Sequence, residues 1–142
     1  LDTTKAWENL DDSTRTLMGT GVYECNINLS AAELKKGNSW TIDLGDVRES
    51  ARVYVNDSLI GCAWAVPYRL SFANLLHKGN NKIRIEVTNL PANRISELDR
   101  QGYKWRKFDE INVVDINYKK TTYADWTPVA SGLNSEVKLI KE

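Results

Sequence analysis

The stretch Asp43–Asn89, DLGDVRESARVYVNDSLIGCAWAVPYRLSFANLLHKGNNKIRIEVTN, carries the fold in its alternation. Ala51, Val53 and Val55 alternate with Arg52, Tyr54 and Asn56, the period of two that turns apolar side chains to one face of a sheet. The run breaks at Asn56-Asp57-Ser58 and resumes through Leu59 and Ile60 to Gly61. Short polar residues of this kind bond their own backbone and tolerate left-handed dihedrals, so the pattern predicts a hairpin. Further on, Lys78-Gly79-Asn80-Asn81 predicts a turn, and Ile83, Ile85 and Val87 then alternate with Arg84, Glu86 and Thr88 as a second half-buried strand.

On the N-terminal side, Trp40, Ile42 and Leu44 form a strand leading into this stretch, with Trp40 assigned to the core. Val22 to Leu29 reads as a strand by the same alternation. Between them, Ser30-Ala-Ala-Glu33 has the spacing of a capping box, and Gly37 is placed to stop one or two helical turns. Residues 1–21 are polar and broken by Asp11-Asp12-Ser13 and Gly19-Thr20-Gly21; they read as an irregular arm from which Trp7 and Leu10 can cover an edge of the core. On the C-terminal side, Leu90 to Asp109 is charged and aromatic, and predicts either one helical turn over Ser96 to Gly102 or a long functional loop. The sheet is expected to resume over Ile111 to Tyr118. A loop with Tyr123, Trp126 and Pro128 follows over Lys119 to Gly132, and a last strand lies near Val137 and Leu139. The three prolines fall outside the alternating runs, as residues that cannot donate to a sheet ladder should.

Short strands, frequent turns and little helix predict an all-β fold, a β-sandwich or jelly roll with one or two short helical turns, as a single domain over residues 1–142. The chain opens at Leu1 without an initiator methionine, which reads as a piece excised from a longer protein. Nineteen basic residues balance nineteen acidic ones, so no global field favours nucleic acid or an anionic membrane surface. No apolar stretch approaches the ~18 residues that span a bilayer, and no signal-peptide pattern opens the sequence. Cys25, on the apolar side of its run with Tyr23, Ile27 and Leu29, and Cys62, after a turn glycine, read either as two unpaired thiols or as a disulfide. Two cysteines and a distant His77 do not make a closed zinc site.

The linked pattern LGxVxxxAxVxVN, GxxWxxPY and LxxGxNxxxIxVTN, read from Leu44 to Asn89, resembles the galactose-binding-like jelly-roll modules of glycoside hydrolases. It is similar to those of family 2 and of the C-terminal parts of α-L-rhamnosidase-like enzymes. The resemblance spans Val22 to Leu139, and the closing SGLNSEVKL is similar to the rhamnosidase-like ending SGLxGPVxL, departing from it at Asn134, Ser135 and Glu136. Asn93-Arg94 matches an NR that follows VTN in those relatives, but the next residues, Ile95-Ser96-Glu97-Leu98-Asp99, depart from their pattern. The resemblance implies a non-catalytic module that binds carbohydrate or acts as a scaffold. Its partners would be a glycan and the catalytic domain of a parent enzyme, in the periplasm or cell exterior. It also implies that a structural Ca²⁺ can occur, although no loop here has a spaced carboxylate pattern.

Hydrolysis of a glycoside needs two carboxyl groups facing each other across a cleft. Asp99, Asp109, Glu110 and Asp115 are the nearest to a cluster, and are expected to be solvated or salt-bridged. Sugar binding wants aromatic faces for C–H patches together with amide, carboxylate and guanidinium groups for hydroxyls. The candidates are Trp64, Tyr68 and Arg69 in GCAWAVPYR, and Asn93, Arg94, Trp105 and Trp126 in the two later loops. Trp64, Pro67 and Tyr68 also have a packing reading, since the resemblance implies positions that pack the sandwich or face the catalytic domain, and buried Trp and Tyr fill cores with one polar atom satisfied. The alternative function is a protein-interaction module without glycan binding; an autonomous hydrolase ranks last.

Overall fold

The structure is a computed structural model, which describes residues 5–34, 38–107, 116–117 and 119–142. After a short 3₁₀ turn at Trp7–Asn9 come α1 (Asp12–Arg15), β1 (Thr20–Leu29), α2 (Ala31–Leu34), β2 (Ser39–Asp43), β3 (Val47–Arg48), β4 (Ser50–Val55), β5 (Ser58–Ala63), β6 (Arg69–Ala73), β7 (Gly79–Thr88), α3 (Ala92–Arg100), β8 (Gly132–Leu133) and β9 (Lys138–Lys141). Among the described residues the strands form a four-stranded sheet β1-β7-β4-β5, a three-stranded sheet β6-β2-β9 and a small β3-β8 pair. All their pairings are antiparallel. This is the expected β-sandwich.

The alternation sorts side chains as predicted. Ala51, Val53 and Val55 of β4 and Ile83, Ile85 and Val87 of β7 are buried, and pair across the sheet as Ala51–Val87, Val53–Ile85 and Val55–Ile83. They face Trp40 and Ile42 of β2 and Phe72 of β6 within one apolar cluster. Each fully buried Val or Ile contributes about 1.5–3 kcal/mol relative to exposure. The β4–β5 hairpin turns through Asn56 (φ 48°) and Asp57 (φ 64°), two successive left-handed residues whose twist matches that of the flanking strands. The capping box at Ser30–Glu33 forms: the Ser30 N–H donates to Glu33 Oε2 at 2.7 Å and the Glu33 N–H to Ser30 Oγ at 3.4 Å.

Two expectations change. The turn expected at Lys78–Asn81 is already strand, because β7 begins at Gly79. Asn81 is fully buried and keeps the inward parity of Ile83, Ile85 and Val87. Its amide donates to the carbonyls of His77 (2.8 Å) and Gly79 (3.0 Å), and its Oδ1 accepts from the His77 N–H (3.0 Å) and Asn56 Nδ2 (2.8 Å). Asn56 in turn donates to Leu75 O and accepts from the Lys82 N–H. Buried polar groups need partners, and these two amides satisfy the hairpin and the β6–β7 connection at once.

The N-terminal arm is less irregular than expected. Thr20 and Gly21 belong to β1, and Asp11 caps α1 by accepting from the Ser13 and Thr14 N–H groups. Trp7 is buried, donates its indole N–H to Tyr23 Oη at 2.6 Å and its backbone N–H to Ser131 O, and closes on Gly21 and Gly132; Leu10 is exposed. The cysteines are both free and exposed. Cys25 lies in β1 and Cys62 in β5, at opposite ends of the sheet order. That separation is about 14 Å at ~4.8 Å per strand, too far for a disulfide. The strand expected over 111–118 lies outside the described residues apart from Ile116 and Asn117, which form a turn.

Candidate functional site

The segment after β7 is a helix of nine residues, α3, longer than the single turn predicted and placed earlier. Pro91 at its N-cap has no side chain to cap it, and the residues it buries, Asn93 and Ser96, are polar. Its role is visible in what it holds. Asn93 donates from Nδ2 to Val129 O (2.8 Å) and accepts at Oδ1 from the Val129 N–H (2.7 Å), so a side-chain amide replaces a strand partner. Arg100 donates to Ala124 O and to Ser96 Oγ. Asp99 accepts the Tyr123 N–H at 2.8 Å and the Trp105 indole N–H at 2.5 Å.

These bonds bring Trp105 and Trp126 together through Tyr123, with ring centroids 6.0 Å apart for Trp105–Tyr123 and 4.4 Å for Tyr123–Trp126. The Arg106 guanidinium lies 5.1 Å from the Trp105 centroid and 4.6 Å from that of Tyr123, within cation–π range. Arg106 also donates to Thr121 O at 2.9 Å and stands 3.8 Å from Asp99. The Tyr123 N–H holds the Asp99 carboxyl below the usual carboxylate range, helped by the Trp105 indole and the Arg106 and Lys120 charges and opposed by partial desolvation. An ionised carboxylate with both oxygens engaged positions its neighbours; it is neither a general acid nor a free nucleophile. The other members of the expected acidic cluster, Asp109, Glu110 and Asp115, lie outside the described residues.

Beside these rings opens a cavity of about 390 Å³, lined by Asp99, Tyr103, Lys104, Trp105, Arg106 and Lys120 with the hydroxyls of Thr121 and Thr122. That volume suits a small ligand. The remaining sequence candidates fall elsewhere. Arg94 is exposed on α3 and its side chain makes no hydrogen bond or ion pair among the described residues. Asn93 is buried with its amide bonded on both sides. In the β5–β6 connection Tyr68 is a core residue, and Arg69 is drawn across the β2–β6 pair to Asp43 at 2.8 Å. Trp64 there is 76% exposed, with Val66 at 82%.

The two regions share one end of the large sheet. Thr88 pairs with both Thr20 and Ser50, and Ala51 with Ala63, so the connection carrying Trp64 and the segment leading into α3 leave the sheet on the same side. Sequence reasoning passed over Tyr103, Lys104, Arg106, Lys120 and Tyr123 as candidates. The alternation of aromatic and basic residues in Tyr103-Lys104-Trp105-Arg106 was the available signal. Among the described residues no three His, Cys, Asp or Glu side chains gather as a metal site.

Residues 8–133 match the family described as glycosyl hydrolase 2 galactose-binding domain-like. The chain belongs to that family. This galactose-binding-like module is 28% identical over 98% of its length to a Formosa agariphila protein named "Putative beta-glucuronidase", of which it spans 13%. Among solved structures, a rhamnosidase from Novosphingobium sp. PP1Y superposes over the whole module with a TM-score of 0.75 and 28% identity, the module covering 13% of that chain. A GH2 beta-galacturonidase from Eisenbergiella tayi gives a TM-score of 0.57 at 14% identity over 96% of the module and 19% of that chain; that likeness concerns the fold alone. The module therefore corresponds to a small, non-catalytic part of much longer glycoside hydrolases.

Its motif asparagines now have physical reasons. Asn56 and Asn81 knit the hairpin to β7 as described. Asn89 accepts the Gly19 N–H at 3.0 Å and donates to Leu17 O at 2.8 Å and Ser131 Oγ at 3.2 Å, tying the N-terminal arm to β7 and the β8 approach.

Proposed function

We propose that the module binds glycan in the basin held by α3, beside the catalytic part of a parent glycoside hydrolase. The parent would act outside the cytoplasmic membrane, in the periplasm or cell exterior. The observation that carries this reading is a cavity lined by Tyr103 and Trp105 together with Thr121, Thr122 and basic groups, the Trp105 ring being backed by Tyr123 and, through it, Trp126. Aromatic faces take the C–H patches of a sugar, and the polar rim takes its hydroxyls. Asp99 supports this by fixing the Trp105 indole and the backbone at Tyr123. Titration of the chain with rhamnose-, galactose- and uronate-containing oligosaccharides, followed by NMR, is expected to shift the Trp105 and Trp126 indole resonances. Unmoved indoles across the series would sink the glycan reading.

A second reading, docking on the parent, draws on Trp64 and Val66, whose exposure in the β5–β6 connection presents apolar surface to water. Exposed apolar groups of this kind favour a protein contact. Trp64→Ala is expected to leave the isolated module's stability within about 0.5 kcal/mol while lowering that of the whole parent enzyme. An unchanged melting temperature of the parent would reject this role for Trp64.

A further inference from the structure

We infer that the α3 basin selects glycans carrying a negative charge, a carboxylate or a sulfate ester on the sugar, over neutral ones; the inference rests on the glycan-binding reading above. The lining holds three basic side chains, Lys104, Arg106 and Lys120, against one carboxylate, Asp99. That carboxylate is turned inward, 15% exposed, with its oxygens taken by the Tyr123 N–H and the Trp105 indole, and Arg106 beside it. Asp99 therefore compensates Arg106, while Arg106 and Lys120 are both engaged with neighbouring groups. Lys104 is different. It is exposed and makes no hydrogen bond or ion pair among the described residues, so its ammonium is the group available to an incoming anion. Lys120 adds a like field from the facing loop, strong enough to act on Asp99.

The neighbouring groups fix where the charge would sit. The exposed Tyr103 precedes Lys104, and the Trp105 ring follows it as part of the lining. A pyranose laid against this aromatic surface turns its ring substituents toward Lys104 and the Thr121 and Thr122 hydroxyls. A neutral sugar would leave the Lys104 charge uncompensated at the contact, whereas an acidic substituent pairs with it. The site is partly solvated, so the gain is that of one or two surface charge pairs and not of a buried one.

The test uses the 142-residue chain and two matched pairs of probes in calorimetric titration. One pair is an oligogalacturonide trimer and its methyl ester; the other is a sulfated galactan tetrasaccharide and its desulfated form. The acidic member of at least one pair is expected to bind about tenfold tighter than its neutral partner. The preference should shrink between about 0.05 and 0.5 M NaCl as the Debye length falls. Whichever pair shows the preference names the substituent. Lys104→Gln should remove most of it and Lys104→Glu should invert it, with the melting temperature unchanged because the side chain is exposed. Equal affinity within both pairs overturns the charge selection and leaves glycan binding standing. No binding by any probe removes both.

Discussion

Asn81→Ala is expected to cost about 3 kcal/mol of folding stability. The side chain is fully buried and satisfies the His77 N–H, the His77 and Gly79 carbonyls and the Asn56 amide. Asn56 keeps its bond to Leu75 O, so truncation strands chiefly the three backbone groups. At roughly 1 kcal/mol for each partly buried group left unpaired, the sum is about 3 kcal/mol, a large share of a typical ~5–15 kcal/mol total. For a domain of this size that lowers Tm by about 9 °C, at roughly 3 °C per kcal/mol. Urea unfolding gives the free energy directly. Asn80→Ala is the control: exposed one residue earlier in the same strand, it should move stability by no more than about 0.5 kcal/mol. In a double-mutant cycle Asn56→Ala and Asn81→Ala should couple by about 1 kcal/mol. A loss below about 1 kcal/mol for Asn81→Ala would refute the view that this amide network closes the β6–β7 connection.

Gly132→Ala should destabilise by about 3 kcal/mol or more, because Gly132 has φ 91° and an added Cβ would run into the Trp7 indole and Tyr23 Oη; thermal melts decide, and a neutral result would mean Trp7 is not seated there. Both thiols should alkylate with iodoacetamide in the folded chain without forming an intramolecular disulfide. Although Cys25 is exposed, partial desolvation pushes its thiol up, so its labelling should be slower than that of a fully solvated thiol at pH 7; mass spectrometry reads both sites. Stability should fall on acidification. Asp11, Glu33, Asp43, Asp99 and Glu142 are held below their ordinary values, chiefly by the Ser13 hydroxyl, the Ser30 hydroxyl, the Gly45 N–H, the Tyr123 N–H and the Thr41 hydroxyl respectively. A depressed folded-state value means this stabilisation is complete above the unfolded values near pH 4 and is lost as pH drops through the folded ones. Urea midpoints that rise between pH 5 and pH 3 would contradict it.

The sandwich was legible because β4 and β7 alternate over several residues, and a period of two leaves few other ways to bury Val53, Ile85 and Val87. Asn81 was also within reach: it continues the parity of Ile83, but its residue type spoke louder than its position and suggested a turn. Helix α3 was hidden for a related reason. It buries Asn93 and Ser96 and lacks a capping side chain, so its apolar stripe is reduced to Ile95 and Leu98 and no start signal marks it. The basin itself depends on bonds between residues far apart in the chain, such as Asp99 to Tyr123 and Asn93 to Val129. Composition placed aromatic and basic groups in both segments, yet only the fold shows that Trp105 and Trp126 meet through Tyr123 while Tyr68 and Arg69 are spent on core and pairing.

The bridge between Asn93 and Val129 has a consequence for how such modules diversify. Because α3 secures residues 123–129 through amide, carboxylate and guanidinium groups at Asn93, Asp99 and Arg100, the rim residues just outside those anchor points can be exchanged without shifting any strand register. Swapping Lys119–Thr122 or Tyr103–Lys104 between related modules, with the three anchors kept, is thus a route to new ligand preferences on an unaltered sandwich, for natural drift and for loop grafting alike.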